Sequence, residues 1–220
     1  MGKAQKQSDI LLPHTSSSAW SMRSTMTRNG VNVKAAFCVA FAAFLRSGDI
    51  TWDTWSPDSH LSHLSCKHVA FHPSSVTLSL PASKTDQFRA GTKIYLAQSP
   101  LSSLWPVAAL RVLFNRYPTS PHSPLFARPF HQPFTKTFFV CTMHQLLLNA
   151  GIPTFGYSGH SLRKGAAVTA DRNGISKHDI QILGRWKSDA VDVYIDERQK
   201  SEHIHKILLL NAQLLSPLIH

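Results

Sequence analysis

From Val33 to Leu45 the apolar positions Ala36, Phe37, Ala40, Phe41, Phe44 and Leu45 run around most of a helical circumference, which predicts a helix buried on nearly every side. Residues 1–31 ahead of it hold no sustained period and predict a mobile lead-in, leaving 32–220 as the folded domain. After a turn-rich, histidine-rich stretch from Thr51 to Pro73, with room for a short strand over 68–71, the period changes to two. Val76–Leu80 alternates, and Thr92–Leu96 can pair with it across the loop PASKTDQFRAG. Helical spacing returns after Trp105-Pro106, with Val107, Leu110, Leu113 and Phe114 on one face before Pro118 stops it. A proline-rich connection leads to an amphipathic helix over Thr135–Asn149, ended near Gly151. Another helix is expected from about His160 to Asn173-Gly174. A further one starts at Ser176, with Asp179 placed as in a capping box, and a last one follows Ser188 with Val191, Tyr194 and Ile195 on one face. The expected fold class is mainly α with a small antiparallel β-sheet.

Composition narrows the partner. Twenty-three Lys and Arg against 12 Asp and Glu give a net charge of +11, spread along the chain, which suits a folded basic surface facing a polyanion. The longest apolar run, Ala35 to Leu45, is too short to span a bilayer, and no apolar stretch suited to a secretory signal precedes it, so no membrane partner is expected. Three widely spaced cysteines, Cys38, Cys66 and Cys141, argue against a disulfide framework and for a reducing, intracellular compartment, the nucleus in a eukaryotic cell.

The stretch SGHSLRKG, residues 158–165, puts His160, Arg163 and Lys164 at the start of a helix whose later residues are small and apolar. A helix N-terminus offers free N–H groups and a partial positive charge, and an imidazole with a guanidinium three residues on adds donors to the same face, an arrangement suited to one phosphate. Taken alone, the same residues also read as a surface ion-pair partner and a hydrogen-bonded cap. Arg46 at the end of the buried run, Lys84 between the two strands, and Trp186 and Tyr194 downstream tip the balance toward the phosphate.

With these residues in this order, the chain resembles the catalytic domain of the tyrosine recombinase, or phage integrase, family. The resemblance is carried by FLRSGD (44–49), LPASKT (80–85), GHSLR (159–163) and LGRWKSDAVDVY (183–194), and its wording is most similar to the recombinases of fungal mobile elements, the Crypton-like group. It implies a DNA breaking-and-rejoining enzyme in which Tyr194 attacks a phosphodiester to give a 3′-phosphotyrosyl link. Arg46 and Arg163 would hold the non-bridging oxygens, and His160 would take the tyrosine proton or share the developing charge. Lys84 would protonate the leaving 5′-oxygen, Trp186 would donate its indole N–H to a phosphate oxygen, and Asp49 would orient Arg46. Arg89, Lys93, Lys164, Arg185 and Lys187 are expected to contact DNA.

The residue types fit that chemistry without the family name. A free tyrosine has a pKa of about 10 and needs a base or nearby cations to attack at neutral pH, and a covalent phosphotyrosine conserves the bond for rejoining, so neither ATP nor metal is required. The expected partners are duplex DNA and further copies of the chain, with residues 195–220 either docking on a neighbouring subunit or folding back on their own core. Relatives carry an additional helical DNA-binding domain ahead of the catalytic one, and residues 1–31 show no pattern for it. That keeps open a non-cleaving, DNA-binding remnant, and a type IB topoisomerase would use similar chemistry. His60, His63, Cys66 and His68 match no common zinc spacing and read as a histidine-rich surface loop, so no metal is expected.

Overall fold

The computed structural model describes residues 27–81, 91–98 and 106–186. Its first helix, α1 (Arg28–Ala42), begins ahead of the periodic run, so residues 28–31 are helical and not part of a lead-in. Two polar residues explain the early start. Thr27 caps the helix by accepting the Gly30 N–H at 3.2 Å. Asn32 is buried but satisfied, donating to Arg28 O at 3.0 Å and accepting the Ala127 N–H at 3.1 Å.

After α1 comes a single helical turn, α2 (Ser47–Ile50), and then a sheet of β1 (Val69–Phe71), β2 (Ser75–Leu80) and β3 (Thr92–Ala97). The strands are antiparallel in the order β1-β2-β3, with Val76 opposite Leu96 and Leu80 opposite Thr92, in the pairing that the alternation predicts. Among the described residues four more α-helices follow: α3 (Pro106–Arg116), α4 (Lys136–Asn149), α5 (Ser161–Arg172) and α6 (Lys177–Gly184). Their ends lie where the side chains place them. Thr135 caps α4, Gly151 at φ +72° turns the chain after it, and Ser176 caps α6 by accepting the Asp179 N–H at 3.1 Å. Lys84 and Arg89, Lys187, the helix expected after Ser188 with Tyr194, and the segment 195–220 all lie outside the described residues.

Helix α1 runs through the middle and packs against α3 and α5, as its all-round apolar surface requires. Phe37 and Phe139 stack with ring centroids 4.7 Å apart, each contributing roughly 1.5–3 kcal/mol by burial. Trp52 ties the exit of α2 to the proline-rich connection, its indole N–H donating to Phe126 O at 2.8 Å. A second, smaller cluster of Phe44, Ala166, Ala167 and Ile180, with Trp186 packed on it, joins α1, α5 and α6. The candidate site sits above this cluster. No helix among the described residues is long and apolar enough to cross a membrane.

Candidate active site

The turn that leaves α1 is left-handed at Phe44, at φ +52°, a conformation that costs a non-glycine residue about 1–2 kcal/mol. Two guanidinium groups hold it. Arg163 Nη1 donates to Phe44 O at 2.8 Å, Arg185 Nη2 donates to the same oxygen at 3.2 Å, and Arg185 Nη1 reaches Ala43 O at 3.2 Å. Arg163 also donates through Nη2 to Gly184 O at 2.5 Å. The end of α1, the first turn of α5 and the end of α6 are thereby fastened at one carbonyl, although they are far apart in sequence.

Arg46 follows that turn and is exposed. Its backbone N–H donates to Asp49 Oδ2 at 2.8 Å, which opens α2 and fixes the chain direction at the arginine. Asp49 therefore bears on Arg46 through the backbone. It also lies within electrostatic reach of Arg185, whose pKa is lowered by burial, supported by Asp49 and pushed down further by Arg46.

Arg163 is 2% exposed and stacks on Trp186, with its guanidinium carbon 4.3 Å from the ring centroid. Trp186 also meets Phe44 edge to face at 6.1 Å. Gly184 makes room for the indole: a Cβ built there would fall 1.6 Å from a ring carbon of Trp186. Arg185, left-handed at φ +56°, turns the chain between them. The motif LGRW thus has a packing logic of its own, with the glycine clearing space, the arginine reversing direction and the tryptophan covering Arg163.

His160 is exposed, occupies the N-cap position of α5 and makes no capping bond with its side chain. Its pKa is lowered from 6.5, first by desolvation and then by the positive charges of Lys136, Arg46, Lys164 and Arg163. At neutral pH the imidazole is held neutral and able to accept a proton. The structure thus brings Arg46, His160, Arg163, Lys164 and Trp186 from three separated motifs to one locality, with Arg185 within electrostatic reach of Arg46. Lys93 lies exposed on β3.

Lys136 belongs to this locality and was not singled out from the sequence. It is the first residue of α4, and a Cβ on Gly159 would lie 2.4 Å from Ser47 Oγ and 3.2 Å from Lys136 Cε. The neighbours of Arg46 and His160 are thus packed against each other and against this lysine. One signal was available: a lysine at the first position of a helix opposes the helix dipole.

The histidine-rich loop is arranged differently. His60 Nδ1 lies 2.6 Å from Pro57 O, His63 Nδ1 lies 2.9 Å from Ser62 Oγ, and Cys66 Sγ lies 3.1 Å from Thr119 Oγ1. His68 Nδ1 accepts the Ser65 N–H at 3.0 Å, and burial, with the charges of Lys67 and His60, lowers its pKa to about 4. The four side chains have separate local partners.

No protein-family model matches the sequence, and no curated protein matches it. Solved structures do match in three dimensions. The XerH site-specific recombinase bound to difH substrate, in a pre-cleavage complex, superposes with a TM-score of 0.56 at 13% identity, over 80% of this chain and 48% of that one. Its post-cleavage complex with a palindromic difH substrate gives 0.54 at 13% identity, over 91% and 51%. An integrase from mycobacterium phage Brujita, at a TM-score of 0.40 and 16% identity, covers all of this chain and 67% of that one, too loosely to bear on the fold. The chain spans about half the length of the XerH recombinase it superposes on. The mainly helical body with its three-stranded antiparallel sheet has the fold of a tyrosine recombinase catalytic domain.

Proposed function

We propose that the chain is a DNA strand-transferase, a tyrosine recombinase of a mobile element that acts as a homo-oligomer on duplex DNA. One observation carries the reading: Arg46 and Arg163, from motifs far apart in sequence, both lie near enough to the exposed His160 imidazole for their charges to lower its pKa. A phosphodiester with in-line attack calls for positive charge on the non-bridging oxygens and a proton acceptor for the nucleophile. In this reading the Tyr194 phenol gives its proton to His160 and its oxygen attacks phosphorus. The bond from phosphorus to the 5′-oxygen breaks, and Lys84 delivers a proton to that oxygen. The products are a 3′-phosphotyrosyl enzyme and a free 5′-hydroxyl. Attack of another 5′-hydroxyl on the phosphotyrosine reverses the steps and returns the proton to Tyr194, so the cycle balances with this chain's own groups.

The test is trapping on a nicked duplex from which the short 5′-hydroxyl fragment diffuses away. A protein–DNA adduct that survives denaturation is expected from the wild-type chain and not from Tyr194→Phe. An equal adduct in that variant removes Tyr194 from the role.

A second reading has its own support. Both Nη atoms of Arg163 donate to backbone carbonyls, and the side chain is 2% exposed, a posture suited to structure more than to catalysis. A chain that binds DNA without cutting it accounts for this, and salt-sensitive binding with no adduct on any nicked substrate is the result that favours it.

A further inference from the structure

We propose that Lys136 is a further phosphate-binding residue of this site, engaging the same anion as Arg46 and flanking His160. Three observations independent of one another lead there. The first is proximity. Gly159 is the point where α2, α4 and the approach to α5 touch, because any side chain there would meet Ser47 and the Lys136 side chain. Arg46 precedes Ser47 and His160 follows Gly159, so Lys136 shares a surface with both. The second is the state of the lysine: it is exposed, and among the described residues its ammonium has no hydrogen bond or ion pair.

The third is electrostatic placement. Lys136 heads α4, whose first turn holds no acidic residue, and His160 stands at the N-cap of α5, whose first turn holds none either. Both helices thus present the positive end of the dipole with no carboxylate in the first turn, an arrangement that favours an anion between them. A lysine there for solubility alone would be better replaced by a glutamate. One bound phosphate would meet both helix ends and the Lys136 ammonium together, and Lys136 is the first of the neighbouring charges that lower the basicity of His160. The inference rests on the strand-transfer reading only for the identity of the anion, a DNA phosphodiester.

The experiment uses the full chain and inorganic phosphate as probe, read by chemical-shift changes of the His160 ring, which is assigned with His160→Gln. Lys136→Met is expected to weaken phosphate binding about tenfold and Lys136→Arg by less than about twofold, as for loss or retention of one charge-assisted contact. Equal affinity in Lys136→Met and wild type, or no binding by the wild type, overturns the proposal. The two claims fail separately. Lys136-dependent phosphate binding in a chain that forms no adduct with nicked DNA leaves this inference standing and removes the strand-transfer reading.

Discussion

Arg185 does two things that pull against each other. Its left-handed backbone is unfavourable for any residue but glycine or asparagine, while its guanidinium bonds the carbonyls of Ala43 and Phe44. Removing the side chain should cost about 1–3 kcal/mol in unfolding free energy, the range for losing charge-assisted bonds from a half-buried donor. Arg185→Gly loses the same bonds but relieves the backbone, so it should be more stable than Arg185→Ala by about 1 kcal/mol in urea titrations. If Arg185→Ala melts like wild type, the clasp contributes nothing. Gly184→Ala should act on the neighbouring contact, because its Cβ takes the place of the Trp186 ring. A red-shifted tryptophan emission, from an indole driven off Arg163, is the expected sign, and an unchanged spectrum counts against that packing. At this scale the sequence was legible for types and not for tasks. Arg163 and Trp186 stood out as candidate catalytic residues and Arg185 as a DNA contact, but that the two arginines share the Phe44 carbonyl follows only from chain folding that no local pattern records. Asp49 is the instructive middle case, since its spacing from Arg46 is that of a capping box and its contact to the Arg46 N–H could have been read directly.

Between elements, the contact that matters most for the site is Gly159 against Ser47. Gly159→Ala should push α5 away from α2 and destabilise by about 1–3 kcal/mol, the usual range for overpacking. Adding Ser47→Gly removes the two Ser47 atoms, Oγ and Cβ, that the new side chain would meet and should recover most of the loss. A double variant no more stable than the single one would show that the contact is not what limits the approach. The histidines give a pH signature. His160 and His68 are both less basic when folded than when unfolded, with His68 at about 4. The unfolded chain therefore binds more protons between roughly pH 4 and 6.5, and stability should rise with pH across that window. Replacing His68 with Gln should flatten the lower part of the curve, and an unaltered slope contradicts its burial as a neutral ring. The elements themselves were largely legible, because caps at Thr135 and Ser176 and the period of two over 76–80 are local signals. The start of α1 was not, since it depends on Asn32 finding the Ala127 N–H across 95 positions.

For the whole molecule, a net charge of +11 with basic groups gathered at the starts of α4 and α5 predicts binding dominated by phosphate contacts. Affinity for duplex DNA should fall roughly 10³-fold between 50 and 200 mM salt for about six contacts, and Arg46→Ala should lower the slope of log K against log salt by about one. Salt-independent binding would place the basic groups elsewhere in the protein's work. The proposed chemistry stands or falls with Tyr194 as the residue that would form the covalent bond to DNA. Peptide mapping of the trapped protein–DNA adduct by mass spectrometry tests it most directly. A single modified peptide bearing Tyr194 joined to a 3′-phosphate is expected, and an adduct on another residue, or a link to a 5′-phosphate, rules that chemistry out.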